Sequence, residues 1–179
     1  MNKKHNSRAL LSINKIKNTT QKLIKSHDIT NLSISKFCEI ADINRTTFYS
    51  HFDSIYDVIM VISHDMILEV FNIFNNENNN IKDNISNTLD YILNHRELVE
   101  LLIFKVDQVE LKVFDILKNF NLLRKINITT KPQELILIYL ISGFKGILQK
   151  FFSEQNTYNK KDFIETIYNL INWDNPLFK

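Results

Sequence analysis

Between Ser33 and Phe52 the chain reads SISKFCEIADINRTTFYSHF, and two helix-start signals stand inside that short span. Ser33 offers a side-chain oxygen at a point where the first helical N–H groups lack partners. Leu32 ahead of it and Phe37 behind it have the spacing of a hydrophobic staple. The pattern recurs with Asn44 as the cap, Ile43 before it and Phe48 at the matching inner position. Two starts this close leave room for two short helices and a tight turn, and for little else. Ala41 and Asp42 fall in the turn, and Asp tolerates a left-handed backbone better than most residues other than Gly. Phe37, Ile40, Ala41, Ile43 and Phe48 are expected to point inward. Arg45, Thr46, Thr47, Tyr49 and Ser50 are then left on the outer face of a second helix of about two turns. This is a helix-turn-helix whose second helix is placed to enter a DNA major groove. The rival reading is a helical hairpin with a merely solvated face. Against it, that face carries Arg, Thr, Tyr and His, and no acid stands between Asp42 and Asp53.

The rest of the chain narrows the fold class. Two glycines and two prolines in 179 residues, with a hydrophobic fraction of 44%, leave few turns and long apolar periodicities. An all-α protein follows. The net charge of +2 hides an asymmetry: residues 1–52 hold nine Lys/Arg against three Asp/Glu, and residues 53–179 hold thirteen against seventeen. A basic N-terminal unit on an acidic body suggests that the first part meets a polyanion. A domain boundary is expected at 53/54, giving 1–53 for DNA binding and 54–179 for a helical body. The single cysteine, Cys38, excludes a disulfide within the chain and is expected to be a buried, inert thiol. No secretory signal pattern is visible, and the longest uninterrupted apolar run, Leu135 to Ile141, is about a third of a membrane span. A soluble cytoplasmic protein with no membrane partner is the expectation.

Taken in order, residues 1–11 read as a loose basic arm, and Ser12 as the cap of a helix reaching Ser26 with Ile13, Ile16, Thr20, Leu23 and Ile24 inward. A long helix is expected from Ser54 to Asn75, followed by a loop at Asn75–Asn80. Further helices are expected over Ile81–His95, Glu97–Val106, Glu110–Lys125, Gln133–Glu154 and Lys160–Trp173. The Gln133–Glu154 segment is apolar nearly all round and should be buried on more than one side. Ser142, Gly143 and Gly146 on it would let another helix approach. These two apolar C-terminal helices point to a homodimer through a four-helix bundle.

Leu32-Ser33-Ile34, Phe37-Cys38-Glu39-Ile40-Ala41, Ile43-Asn44-Arg45-Thr46-Thr47 and above all Phe48-Tyr49-Ser50-His51-Phe52 resemble the DNA-binding domain of TetR/AcrR-family transcriptional regulators. The wording Ile43-Asn44-Arg45-Thr46-Thr47-Phe48-Tyr49, and Tyr139-Leu140-Ile141-Ser142-Gly143 with Ile147-Leu148, also resemble a subgroup that includes regulators of dihydroxyacetone kinase operons. The resemblance implies an all-helical homodimer of about nine helices per chain, binding a palindromic operator on double-stranded DNA. It further implies a C-terminal domain that dimerises and often holds a small-molecule effector, with repression as the family's habit. Two positions depart from the pattern. Asp42 stands where Gly is common, and Ile55 where a Lys commonly reaches a backbone phosphate.

For base readout Arg45 is the first candidate, because its planar fork matches guanine O6 and N7; Thr46 and Thr47 come next. Phosphate positioning is expected from Ser33, Lys36, Asn44, Tyr49 and His51. The body aromatics Tyr91, Phe104, Phe114, Phe120 and Phe144 read as core packing, so no ligand site is assigned. No glycine-rich phosphate loop, metal-ligand spacing or nucleophile–base constellation stands out, so neither an enzyme nor a cofactor is expected. His64-Asp65 reads as a solvated pair.

Overall fold

With helix breakers so scarce, the chain has few places at which a helix must stop. The computed structural model describes residues 3–26, 29, 31–119, 128–154 and 157–171, and these hold nine helices and no strand. They are α1 (Lys3–Lys25), α2 (Ile34–Ala41), α3 (Arg45–Tyr49), α4 (Ile55–Phe74), α5 (Ile81–Asn94), α6 (Arg96–Lys105), α7 (Val109–Asn119), α8 (Lys131–Ser153) and α9 (Lys160–Ile171). The all-helical expectation is met. The expected extensions to Lys125 and to Trp173 lie outside the described residues.

The chain divides into two compact units between Asp65 and Met66, within α4. Ile55, Val58, Ile59 and Ile62 are buried, which ties the first half of α4 into the N-terminal unit. In that unit α1 buries Ile16, Thr20, Leu23 and Ile24. It begins at Lys3, so residues 3–11 are helical and not a loose arm. Nothing in that stretch stops a helix, and Ala9, Leu10 and Leu11 favour one. The Ser12 hydroxyl accordingly donates to the Arg8 carbonyl at 3.1 Å, as a mid-helix serine does, and does not cap.

The C-terminal unit is built from the second half of α4 and from α5–α9. Phe71, Phe114 and Leu117 form a cluster bordered by Leu68, Leu137, Ile138 and Ile141. Lys145 joins α8 to Glu110 of α7 at 2.9 Å, and the Gln149 amide donates to the Ile103 carbonyl of α6 at 2.8 Å. Glu110 is held below the usual carboxylate range, first by its own backbone N–H and then by Lys145. Lys160 grips both oxygens of Asp90 at 2.6 and 2.7 Å, and Lys82 pairs with Glu165 while lying over the Tyr168 ring, so α9 is fastened along α5. Of the body aromatics, Phe114 is buried, Tyr91 and Phe144 are half-buried, Phe104 is exposed, and Phe120 lies outside the described residues.

Helix α8 departs from expectation in two ways. Only Leu148 and Phe152 on it are buried, while Leu135 and Tyr139 are 68% and 73% exposed, so its second apolar side is not covered by the described residues. Moreover, its 23 residues contain a window of mean hydropathy 1.5, long and apolar enough by length and composition to cross a membrane. The expectation of no such segment rested on uninterrupted runs, whereas a span also admits scattered Ser, Gly and Lys. Helix α9 differs again: Phe163 and Ile167 are buried, and its outward positions Lys161, Asp162, Thr166 and Asn169 are polar. Its apolar face is therefore used inside the unit, and among the described residues α8 is the one of the two C-terminal helices that leaves a large apolar face open.

Candidate nucleic-acid interface

Both expected caps form. The Ser33 oxygen accepts the Lys36 N–H at 3.2 Å, and the Asn44 Oδ1 accepts the Thr46 N–H at 3.0 Å, each worth about 1 kcal/mol. Phe37 and Phe48 are fully buried and meet edge to face with ring centroids 5.4 Å apart, which sets the angle between α2 and α3. Asp42 takes the left-handed conformation at φ 47°, ψ 57°, and its N–H closes α2 on the Cys38 and Glu39 carbonyls. Ile40, expected inward, is 47% exposed. At about 100° per residue the buried arc of α2 is set by Phe37, Ala41 and Cys38, and Ile40 falls outside it.

Helix α3 is shorter than expected, five residues, although the Phe52 N–H still reaches the Phe48 carbonyl at 3.0 Å and carries the helical bonding onward. With Phe48 inward, Arg45, Tyr49 and Thr46 share an exposed arc of about 100° beside it. The Arg45 guanidinium makes no ion pair among the described residues. Thr46 donates its hydroxyl to Asn44 Oδ1 at 3.0 Å and is exposed. Tyr49 packs edge to face on Phe48 and still exposes 48% of its surface. Thr47 and His51 are half-buried on the flank and at the chain turn. Ser33 and Asn44 spend an oxygen each on capping, leaving the serine O–H and the Asn44 Nδ2 group as outward donors. Lys36 is exposed but paired with Glu39 at 2.8 Å.

One contact escaped the sequence. Lys15 of α1 reaches across to the turn and donates to the Asp42 carbonyl at 2.7 Å and to its carboxylate at 2.8 Å. Its hydrogen bond, and then its charge, hold the Asp42 carboxyl below the usual range. No local signal marks this pairing. Asp65 is likewise more than one half of a solvated pair with His64. Partial burial works against its charge, yet Lys17 and then His64 bond it and hold it below the usual range. Burial pushes the Cys38 thiol up, with the Arg45 charge pulling the other way. Ile55 is buried, so its side chain serves the core where a lysine would face phosphate.

A short outer helix carrying Arg, Thr and Tyr, braced by α1 and followed by an all-helical body, defines a helix-turn-helix protein of two units. The same fold is found in the crystal structure of a TetR transcriptional regulator from Streptococcus agalactiae 2603V: the likeness has a TM-score of 0.68 and 17% sequence identity, and covers 93% of this chain and 97% of that one. The all-helical fold implied by the sequence resemblance is thus the fold observed, and the narrower likeness to dihydroxyacetone kinase operon regulators gains no support from it. No family model matches the sequence, and no curated protein matches it.

Proposed function

We propose that the chain is a TetR/AcrR-type transcription regulator, a homodimer that binds a palindromic operator through α2 and α3. The exposed arc of Arg45, Tyr49 and Thr46, set on a helix held from behind by buried Phe48, carries this reading. Arg45 is assigned to a guanine, and Thr46 and Thr47 to neighbouring base edges. Ser33, Lys36, Asn44, Tyr49 and His51 are assigned to phosphates, with Lys36 exchanging Glu39 for the backbone. Repression and release by a small-molecule effector are the finer form of the proposal. Release would follow if the effector favours a dimer with the wrong spacing of recognition helices, with a coupling of about 1–3 kcal/mol.

A DNA-bound scaffold acting through protein partners is a second reading. Among the described residues, the cleft between α8 and α9 holds about 180 Å3, where small-molecule sites begin at roughly 300 Å3, so that cleft by itself suits this reading better than an effector site. Selection of bound genomic fragments, with the Arg45→Ala protein run beside the wild type, tests the main reading. An inverted repeat is expected, and Arg45→Ala should lose about 1–3 kcal/mol and relax preference at one base pair. Weak, salt-sensitive binding without a shared sequence would remove the operator from the account.

A further inference from the structure

Asp42 suits the turn and ill suits a polyanion. Its left-handed backbone closes α2, but its side chain is 95% exposed and stands three residues ahead of Arg45. The first residues of the second helix are the ones that meet base edges, so this carboxylate falls at the end of α3 nearest the groove. An anion there is repelled by every phosphate within about 10 Å, the screening distance at about 0.1 M salt. Lys15 answers it from α1. Its ammonium lies 2.8 Å from the Asp42 carboxylate and 2.7 Å from the carbonyl of the same residue. Lys36, assigned above to a phosphate, has a single bond to surrender, to Glu39 of its own helix. Lys15 spends its ammonium on two acceptors of one residue, 27 positions along the chain. Solvent reaches both partners, so the pair adds little to stability, and stability does not account for it.

We propose that Lys15 is a positioning residue of the DNA interface, acting through Asp42: it ties down and neutralises that carboxylate, so that α3 approaches phosphate without repulsion. The proposal rests on the DNA-binding reading above and adds to it a residue that itself touches no nucleic acid. The Asp42 carboxyl lies below its usual range, through the Lys15 bond and then the Lys15 charge, so at neutral pH it is ionised and its charge has to be met. The same tie keeps Asp42 occupied beside Arg45, whose guanidinium is then left for a base edge.

Full-length wild type and variants, titrated into a fluorescent mixed-sequence duplex of about 30 base pairs and into the fragment recovered by genomic selection, test the proposal. Lys15→Met should lower affinity for both probes on the order of 5-fold at about 50 mM salt, and by less at about 300 mM. Asp42→Asn removes the charge and keeps a residue that accepts the left-handed turn. Added to Lys15→Met, it should return affinity to within about 2-fold of wild type, and alone it should bind no more weakly than wild type. Glu69→Gln in the C-terminal unit removes a carboxylate of the same charge and should restore nothing. Unchanged affinity in Lys15→Met would overturn the proposal. A loss that Asp42→Asn deepens would overturn it in favour of a structural brace, and a loss that Asp42→Asn leaves as it is would point instead to a direct lysine–phosphate contact. Equal rescue by Glu69→Gln would overturn it in favour of net charge alone. A wild-type chain that binds neither duplex removes the regulator itself, whereas binding that ignores Lys15 removes this proposal alone.

Discussion

The α2–α3 turn and helix α8 use glycine in opposite senses. The turn needs a left-handed residue, a conformation in which glycine is cheapest, and the chain sets Asp42 there at φ 47°, as it sets Gln108 at φ 52° ahead of α7. Helix α8 needs no such residue and holds both glycines of the chain. The turn shows that a local backbone demand can be met from within, by an Asp and a lysine from α1. The helix shows the converse, a residue choice that no contact among the described residues explains.

Substitutions can break or sharpen that contrast. The largest effect is expected at the turn: Asp42→Val puts a β-branched residue in the left-handed region and should destabilise the N-terminal unit by about 2 kcal/mol, read by urea unfolding. Asp42→Gly should stay within about 0.5 kcal/mol of wild type, because relief of the backbone offsets the lost pairing with Lys15. Next comes the helix. Gly143→Ala combined with Gly146→Ala should raise the stability of the dilute single chain by about 1–2 kcal/mol while weakening self-association. Equal stabilisation at dilute and concentrated protein would mean that no partner uses those glycines. The smallest effect belongs to Lys15→Met, since the pair is solvent-exposed. Its pH dependence has a definite sign. The Asp42 carboxyl is lowered in the fold, so the contribution is full above the ordinary Asp value of about 3.9 and fades as pH falls through the folded value. The difference between wild type and Lys15→Met should therefore be flat from pH 6 to 8 and shrink only in acid.

Where the sequence was informative, the signal was local. The caps at Ser33 and Asn44, the buried partners Phe37 and Phe48 and the left-handed Asp42 depend on residues within a turn of one another, and each is in place. Helix spans were legible from apolar periodicity to within a few residues, as with Ile81–Asn94. Misreadings arose where position around a helix or distant contacts decide. Ile40 is apolar and sits one residue from Ala41, yet the three residues that set the arc turn it outward. Lys15 and Asp42 stand 27 residues apart, and nothing near either betrays the other. The apolar residues of α8 and α9 look alike in the sequence. Only packing reveals that α5 has taken the face of α9 and that no described residue has taken the outer face of α8.

Cys38 gives the recognition unit a built-in clock. The thiol is 3% exposed and burial raises its pKa, so a thiol reagent cannot reach a reactive thiolate until α2 lifts from the core. Its labelling rate is therefore the fraction of time the unit stands open multiplied by the rate for a free thiol, with no substitution needed. Since the chain has no second cysteine, the reading comes from this unit alone. Labelling with and without bound DNA would report how far the nucleic acid holds the helix-turn-helix shut.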